Sequence, residues 1–260
     1  MRPARIHTHL HTRVLALVPV LGLVLAASAC GGGSQGGDGR QITVLAASSL
    51  TGTFTELARE FEKEHPGVDV KLAFDSSATL AQQAVGGAPA DVLATADTAT
   101  MDSAKAALAD APQDFATNTM VMVTPRADPA GLTAIRDLGK PGVTYVTCVE
   151  TAPCGKVAAA LLADNHVTAK PASLEVDVKS VLAKVTSDEA DAGLVYRTDA
   201  VAAGDQVEAF PVPHAGAEVT TYPIAPLTQS NDARLAQQFV DLVLGDRGQQ
   251  VLHDAGFGQP

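Results

Sequence analysis

The chain has 260 residues, with 18 lysines and arginines against 29 aspartates and glutamates. The resulting formal net charge of −11 argues against a nucleic-acid partner, because binding to a phosphate backbone requires a basic surface. An anion could bind such a chain only through a local arrangement of hydrogen-bond donors, since the overall field repels it.

The N-terminus has the pattern of a secretory signal. Arg2, Arg5 and Arg13 precede an apolar run over residues 14–27, and no acidic residue interrupts the segment. Basic residues before a short apolar run are typical of a signal peptide, and a membrane span needs about 20 apolar residues. We therefore predict a signal peptide at residues 1–29, and the chain from Cys30 onward then has a formal charge of −14.

The predicted signal ends in Ala27-Ser28-Ala29-Cys30. Small residues before a cysteine resemble the lipobox of bacterial lipoproteins, in which the cysteine becomes the lipidated first residue. Glycine, serine, glutamine and aspartate alone make up residues 31–39, and such a composition forms no core. We expect a lipid anchor at Cys30 and a flexible tether over residues 30–40, with the protein held at the outer face of the cell membrane. The alternative is an ordinary cleaved signal with a chance cysteine.

The rest of the chain alternates predicted strands and helices, with about 220 residues for one large or two small domains. Short apolar runs predict strands at residues 42–46, 68–74, 91–94, 120–123, 143–146 and 193–196. Helical spacing of apolar residues, as in Phe54, Leu57, Ala58 and Phe61, predicts helices near residues 54–64, 80–85, 98–109, 155–165, 178–185 and 235–243. Strands separated by single helices predict an α/β fold with parallel sheets and a ligand site at the carboxyl ends of the strands.

Serines and small residues stand where predicted strands pass into helices. Ser48-Ser49 follows the first strand, Ser76-Ser77 the second, and 152–155 and 177–178 open later helices. Free N–H groups and the helix dipole attract anions to such positions. The alternative for each serine is simple helix capping, which is its commoner role.

Two cysteines remain beyond Cys30, namely Cys148 and Cys154. Outside the cytoplasm an even pair favours a disulfide. The alternative is a metal-binding pair, although no histidine or cysteine cluster lies nearby in the sequence.

Several segments resemble, in order, the molybdate-binding proteins of ABC importers. They are residues 42–51 (ITVLAASSLT), 76–83 (SSATLAQQ), 87–92 (GAPADV), 153–155 (PCG), 177–178 (DV) and 193–200 (GLVYRTDA). Gly256-Phe257 fits the same pattern, so the resemblance covers essentially residues 41–257.

The resemblance implies five oxyanion-binding residues. Ser49 and Ser77 would donate hydroxyl and backbone N–H groups, Cys154 and Val178 would donate backbone N–H groups, and Tyr196 would donate its phenol O–H. The chain departs from the family pattern at Asp75, where an uncharged residue is usual, and at Cys154, where alanine is common.

The same resemblance implies a type II periplasmic binding protein with two Rossmann-like lobes and a ligand cleft between them. We expect residues 41–119 with 225–260 to form lobe 1 and residues 120–224 to form lobe 2. The implied function is capture of molybdate, or tungstate, for the transmembrane subunits of an ABC permease. We expect a monomer with no cofactor and no catalysis.

Two alternatives remain open at this point. The first is a binder of sulfate, phosphate or an organic anion on the same scaffold. The second is a secreted serine hydrolase, because residues 32–36 match the Gly-x-Ser-x-Gly pattern. That motif requires a strand before the serine and a helix after it, and neither is predicted there.

Overall fold

The computed structural model describes residues 40–128 and 130–260. The predicted signal peptide at 1–29, the lipidation at Cys30 and the tether up to residue 39 lie outside the described residues. The first strand begins at Arg40, one residue inside the predicted tether.

The described residues form ten β-strands and eight α-helices. The strands are β1 (Arg40–Ala47), β2 (Val68–Asp75), β3 (Val92–Ala94), β4 (Gln113–Asn118), β5 (Met120–Pro125), β6 (Tyr145–Cys148), β7 (Ser173–Glu175), β8 (Ala192–Tyr196), β9 (Val207–Pro211) and β10 (Thr220–Pro226). The helices are α1 (Thr51–Glu64), α2 (Ser77–Val85), α3 (Thr98–Ser103), α4 (Pro153–Asp164), α5 (Val178–Thr186), α6 (Arg197–Ala203), α7 (Ala233–Leu244) and α8 (Asp246–Asp254).

The strands form two five-stranded sheets, and the predicted α/β class is confirmed. The first sheet has the order β2-β1-β3-β10-β4, and the second has the order β7-β6-β8-β5-β9. The prediction of parallel sheets holds for β2-β1-β3 and β7-β6-β8. It fails for β10 and β5, which each run antiparallel to both of their neighbours. The chain passes from one sheet to the other without a crossover helix, at β4–β5 and at β9–β10, and strands that enter a sheet in this way need not be parallel.

The chain returns to the first sheet earlier than predicted. β10 begins at Thr220 and pairs with β3 and β4, whereas the sequence partition kept residues up to 224 with the second lobe. Pro223 and Pro226 interrupt the apolar pattern of β10, and proline is a poor indicator of a strand. The strand could therefore not be recognised from its sequence.

Local differences from the predicted elements have physical causes. The predicted helix over 98–109 ends as α3 at Ser103, and Leu108 instead pairs with Leu227 as an isolated β-bridge. Tertiary pairing thus overrides local helix propensity. The structure also contains elements without a clear sequence signal, namely β4, β7, β9, β10, α6 and α8.

The core of the first sheet is built on aromatic residues. Phe54 and Phe61, on the predicted apolar face of α1, are fully buried and pack edge-on against Phe239 of α7, with ring centroids 5.9 and 5.5 Å apart. Phe115 of β4 lies on the other side of Phe54, at 5.9 Å. Between residues 40 and 260, none of the described helices has the length and apolarity needed to cross a membrane.

Candidate functional site

A small cavity lies at the carboxyl ends of the strands, where loops from both sheets meet. The space open to the centre of a water-sized sphere is only about 10 Å³, close to what one water molecule needs, so the cavity suits a small ion rather than a drug-sized ligand. All five residues expected to bind an oxyanion line it, namely Ser49, Ser77, Cys154, Val178 and Tyr196.

The first sheet contributes two buried serines. Ser49 lies in a single 3-10 turn, Ser48–Leu50, directly after β1, and Ser77 is the first residue of α2. The predicted start of α2 at Leu80 is therefore three residues late, because the Ser-Ala-Thr run has weak helix propensity. Ser77 Oγ accepts a hydrogen bond from the Ala96 N–H at 3.0 Å, so its own hydrogen is free to point into the cavity.

The second sheet contributes two helix N-termini. Cys154 follows Pro153 at the start of α4, and Val178 is the first residue of α5. The first N–H groups of an α-helix have no acceptor within the helix, and the dipole places partial positive charge there. Both termini line the cavity together with the serines, so donors from both sheets surround the same space.

Tyr196, the last residue of β8, places an unsatisfied donor in the cavity. Its side chain is only 1 % exposed. Its hydroxyl makes no hydrogen bond of good distance and angle among the described residues, although the Thr220 side chain lies close enough to lower its pKa slightly. Burial raises the pKa of Tyr196 well above its usual value, so the phenol keeps its proton. A buried hydroxyl without a partner is unusual in folded proteins, and an anion acceptor in the cavity would satisfy it.

A disulfide joins Cys148, at the end of β6, to Cys154. This bond excludes a metal-binding role for the pair. The disulfide links the first turn of α4 to the end of β6, across the loop that joins them. The position of the Cys154 N–H is thereby fixed covalently.

We expect the intact mass of the native protein to lie two hydrogens below that of the reduced protein, because the two thiols are joined. Thiol labelling of unreduced, denatured protein should leave both Cys148 and Cys154 unmodified. Labelling should become quantitative at these two residues only after reduction. Quantitative labelling without reduction would contradict the pairing.

Asp75 is one of the residues that line the cavity. The carboxylate is half-buried at the end of β2, and its Oδ1 accepts the Ser76 N–H at 2.6 Å. One oxygen is therefore engaged with the backbone, and the negative charge opposes a bound anion. The departure from the family pattern at this position has an electrostatic consequence, which a charge-neutral variant can measure.

An ion pair between a half-buried lysine and a fully buried carboxylate supports the second-sheet side of the cavity. Asp199 on α6 is fully buried, and its Oδ1 lies 2.8 Å from Nζ of Lys179, the residue after Val178 on α5. Burial raises the pKa of Asp199, and the neighbouring Lys179 partly opposes that rise. The pair joins the two helix starts that carry Val178 and Tyr196.

Lys179→Met should destabilise the unliganded protein by about 2 kcal/mol at neutral pH, because it leaves the Asp199 charge buried without a partner. A pKa raised above the unfolded value of 3.8 means that the native state binds this proton more tightly than the unfolded chain. The contribution of Asp199 to stability is then greatest below that value and is lost as the pH rises through the native pKa. Since the variant raises this pKa further, its deficit should shrink in acid.

Urea unfolding at about pH 7 and about pH 4.5, with the surface variant Lys105→Met as control, measures this difference. A Lys179→Met deficit that is equal at both pH values would contradict the assignment.

The structure adds Ala96 to the cavity, a residue to which sequence reasoning gave no role. Its N–H fixes the Ser77 hydroxyl. In the sequence, Ala96 could have been identified as a cavity residue from its position two residues after the strand predicted over residues 91–94. The other lining residues belong to the strand-to-helix turns that the sequence indicated, namely Ala47, Ser48, Ser76, Ala152, Pro153 and Asp177.

Comparison with known proteins agrees with this geometry. The family of bacterial extracellular solute-binding proteins matches residues 42–258. The molybdate-binding protein ModA of Mycobacterium tuberculosis H37Rv is 40 % identical over 258 residues, covering 96 % of this chain and 98 % of that protein. The molybdate-binding protein ModA of Escherichia coli K12 is 34 % identical over 233 residues, covering 85 % and 90 %.

Among solved structures, the periplasmic molybdate-binding protein of Azotobacter vinelandii superposes with a TM-score of 0.74 at 21 % identity, covering 84 % of this chain and 99 % of that one. This likeness confirms the two-sheet fold expected for a type II periplasmic binding protein. The chain is therefore a bacterial extracellular solute-binding protein and belongs to the ModA family of molybdate-binding proteins.

Proposed function

We propose that the cavity captures molybdate, or tungstate, outside the cytoplasm and that the loaded protein delivers it to an ABC import permease. The Tyr196 hydroxyl carries the proposal, because it is a buried donor that makes no hydrogen bond of good geometry to the described residues and belongs to a residue lining a cavity of ionic size. Membership of the ModA family supports the same cargo and places the chain among binding proteins rather than hydrolases.

The donor set suits a fully ionised oxyanion. Molybdate and tungstate carry no proton at neutral pH and can only accept hydrogen bonds. Hydroxyls of Ser49, Ser77 and Tyr196, with N–H groups at the helix starts, can all donate. Each hydrogen bond to a charged group contributes about 1.5–3 kcal/mol, so a few donors in a dry cavity suffice without a lysine or arginine.

The two sheets, each with its helices, are proposed to act as the two lobes of a closing cleft. Lobe 1 comprises residues 41–119 with the C-terminal part from Thr220, and lobe 2 comprises the residues between. Lys156 of α4 lies 2.7 Å from Asp97, which caps α3, so an ion pair spans the cleft. Lys156 is 44 % exposed, and such a pair contributes at most about 1 kcal/mol. Closure over the anion would present a distinct surface to the permease.

We also propose attachment to the outer face of the membrane through a lipid on Cys30, with the protein acting as a monomer. The lipobox-like segment before Cys30 and the glycine-rich residues after it support the anchor. A tether of that composition would let the binding unit reach a permease in the same membrane.

Asp75 favours one alternative cargo. Phosphate retains a proton near neutrality, and a carboxylate at the edge of the cavity could accept it. The corresponding alternative function is phosphate capture by the same cavity.

Isothermal titration with molybdate, tungstate, sulfate and phosphate separates these functions. The proposal predicts tight binding of molybdate and tungstate and weak binding of the other two. Asp75→Asn should strengthen molybdate binding, because a negative charge is removed near a divalent anion. Phosphate binding tighter than molybdate binding, and lost in Asp75→Asn, would establish the alternative.

A further inference from the structure

The Ser49 hydroxyl belongs to a hydrogen-bonded chain that leads away from the cavity. Behind Ser49, on β10, lies Tyr222, and its hydroxyl is 3.0 Å from Ser49 Oγ. Asn118, at the end of β4, places Nδ2 3.5 Å from the Tyr222 hydroxyl and 2.9 Å from Thr198 Oγ1. Tyr222 and Asn118 are 0 % and 4 % exposed, so water does not compete for these groups.

The orientation of the Asn118 amide sets the direction of the chain. Its Oδ1 accepts the Thr119 N–H at 3.0 Å, so the other end of the amide is the NH₂ group, which can only donate. The Tyr222 hydroxyl therefore accepts from Asn118 and cannot donate to it.

The hydrogen of Tyr222 has one acceptor left. Among the described residues, the polar side-chain atoms within hydrogen-bonding distance of the Tyr222 oxygen are Ser49 Oγ and Asn118 Nδ2. Burial raises the pKa of Tyr222, so the phenol has its hydrogen to donate. Tyr222 consequently donates to Ser49, and the Ser49 hydrogen is released toward the cavity.

We infer that Tyr222, held by Asn118, is a positioning residue that orients the Ser49 hydroxyl as a donor to the bound anion. The inference rests on the proposed function, since it assigns Ser49 to the oxyanion. Ala96 does the same for Ser77 through a backbone N–H. Both serines thus reach the cavity with one lone pair engaged and the hydrogen free, and hydrogen bonds linked in series strengthen one another.

Tyr222→Phe removes the donor and keeps the ring, which packs edge-on against Phe115, Tyr196 and Phe257. We expect molybdate to bind the variant about 3- to 10-fold more weakly, the effect of losing one neutral hydrogen bond. Tyr145→Phe is the matched control, because the buried Tyr145 hydroxyl donates to the Ala169 carbonyl within lobe 2. The control should bind molybdate as the wild type does.

A double-mutant cycle distinguishes positioning from general structural support. If Tyr222 acts through Ser49, Tyr222→Phe should weaken molybdate binding in the wild-type background and have almost no effect in the Ser49→Ala background. Asn118→Leu removes the amide at similar volume. It should likewise weaken molybdate binding when Ser49 is present and have almost no effect in the Ser49→Ala background, and it replaces Tyr222→Phe if that variant does not fold.

Calorimetric titration of molybdate into each purified variant gives the result. If Tyr222→Phe weakens molybdate binding equally in both backgrounds, the inference is overturned and the proposed function stands. The same holds if the wild type binds molybdate and Tyr222→Phe binds it equally well. A wild type that does not bind molybdate would instead overturn the proposed function, and this inference with it.

Discussion

Gly155→Ala is expected to destabilise the protein by about 3 kcal/mol or more and to weaken molybdate binding at least about tenfold. A Cβ at this position would lie 1.9 Å from the Val149 carbonyl oxygen and 2.8 Å from that of Cys148. Both atoms are backbone, so no side chain can rotate away. The first turn of α4 must move, and it carries the Cys154 N–H together with the disulfide.

Gly52→Ala is the matched control for this variant. Gly52 lies in the exposed part of α1, and a Cβ there would meet nothing within 4 Å. Alanine should stabilise that helix by about 0.5–1 kcal/mol, since it is the better helix former. Urea unfolding and calorimetry on both variants compare the two effects. A Gly155→Ala protein as stable as the wild type would show that α4 tolerates displacement.

Ser49→Ala and Ser77→Ala should each weaken molybdate binding by about 1.5–3 kcal/mol, or about 10- to 150-fold, because each removes a hydrogen bond to a charged group. The double variant should lose still more, although two donors to one ion need not act additively. The unliganded stability should fall less, by about 1 kcal/mol for Ser77→Ala, which leaves the Ala96 N–H without its acceptor.

Ser103→Ala provides the control for the serine series. Its exposed hydroxyl donates to the Thr100 carbonyl within α3, so its loss should leave molybdate affinity unchanged. Calorimetric titrations of all four proteins test the assignment. Unchanged affinity in both single cavity variants would mean that the anion does not contact these serines.

The parts of the fold that could be predicted are those with strong local periodicity. The apolar face of α1 and the short buried run of β1 are examples, and both lie where the sequence indicated. β10 could not be predicted, because its pairing with β3 and β4 is decided by distant residues and its prolines mask the strand pattern. The antiparallel entry of β5 into the second sheet is likewise a tertiary property.

In the cavity, too, the features set by neighbouring residues could be predicted, and those set by residues far apart in the sequence could not. The serine pairs and helix starts were visible in the sequence as strand-to-helix turns, and the structure brings them together. The groups that orient those serines were not visible. Tyr222 lies 173 residues from Ser49, and neither residue carries a signal of the other. The sequence showed Asp75 as a departure from the family pattern, but only the structure shows that it lines the cavity.

Titration of molybdate and sulfate at low and high salt distinguishes binding by oriented donors from binding by net charge. The cavity holds no lysine or arginine among its described lining residues, and contacts inside a closed cleft are poorly screened. Molybdate affinity should therefore change little with salt. Sulfate has the same charge but is smaller. Because it cannot reach every donor at once, sulfate should bind at least about tenfold more weakly than molybdate. Sulfate binding as tight as molybdate binding, or molybdate affinity that falls steeply with salt, would show that oriented donors do not determine anion binding.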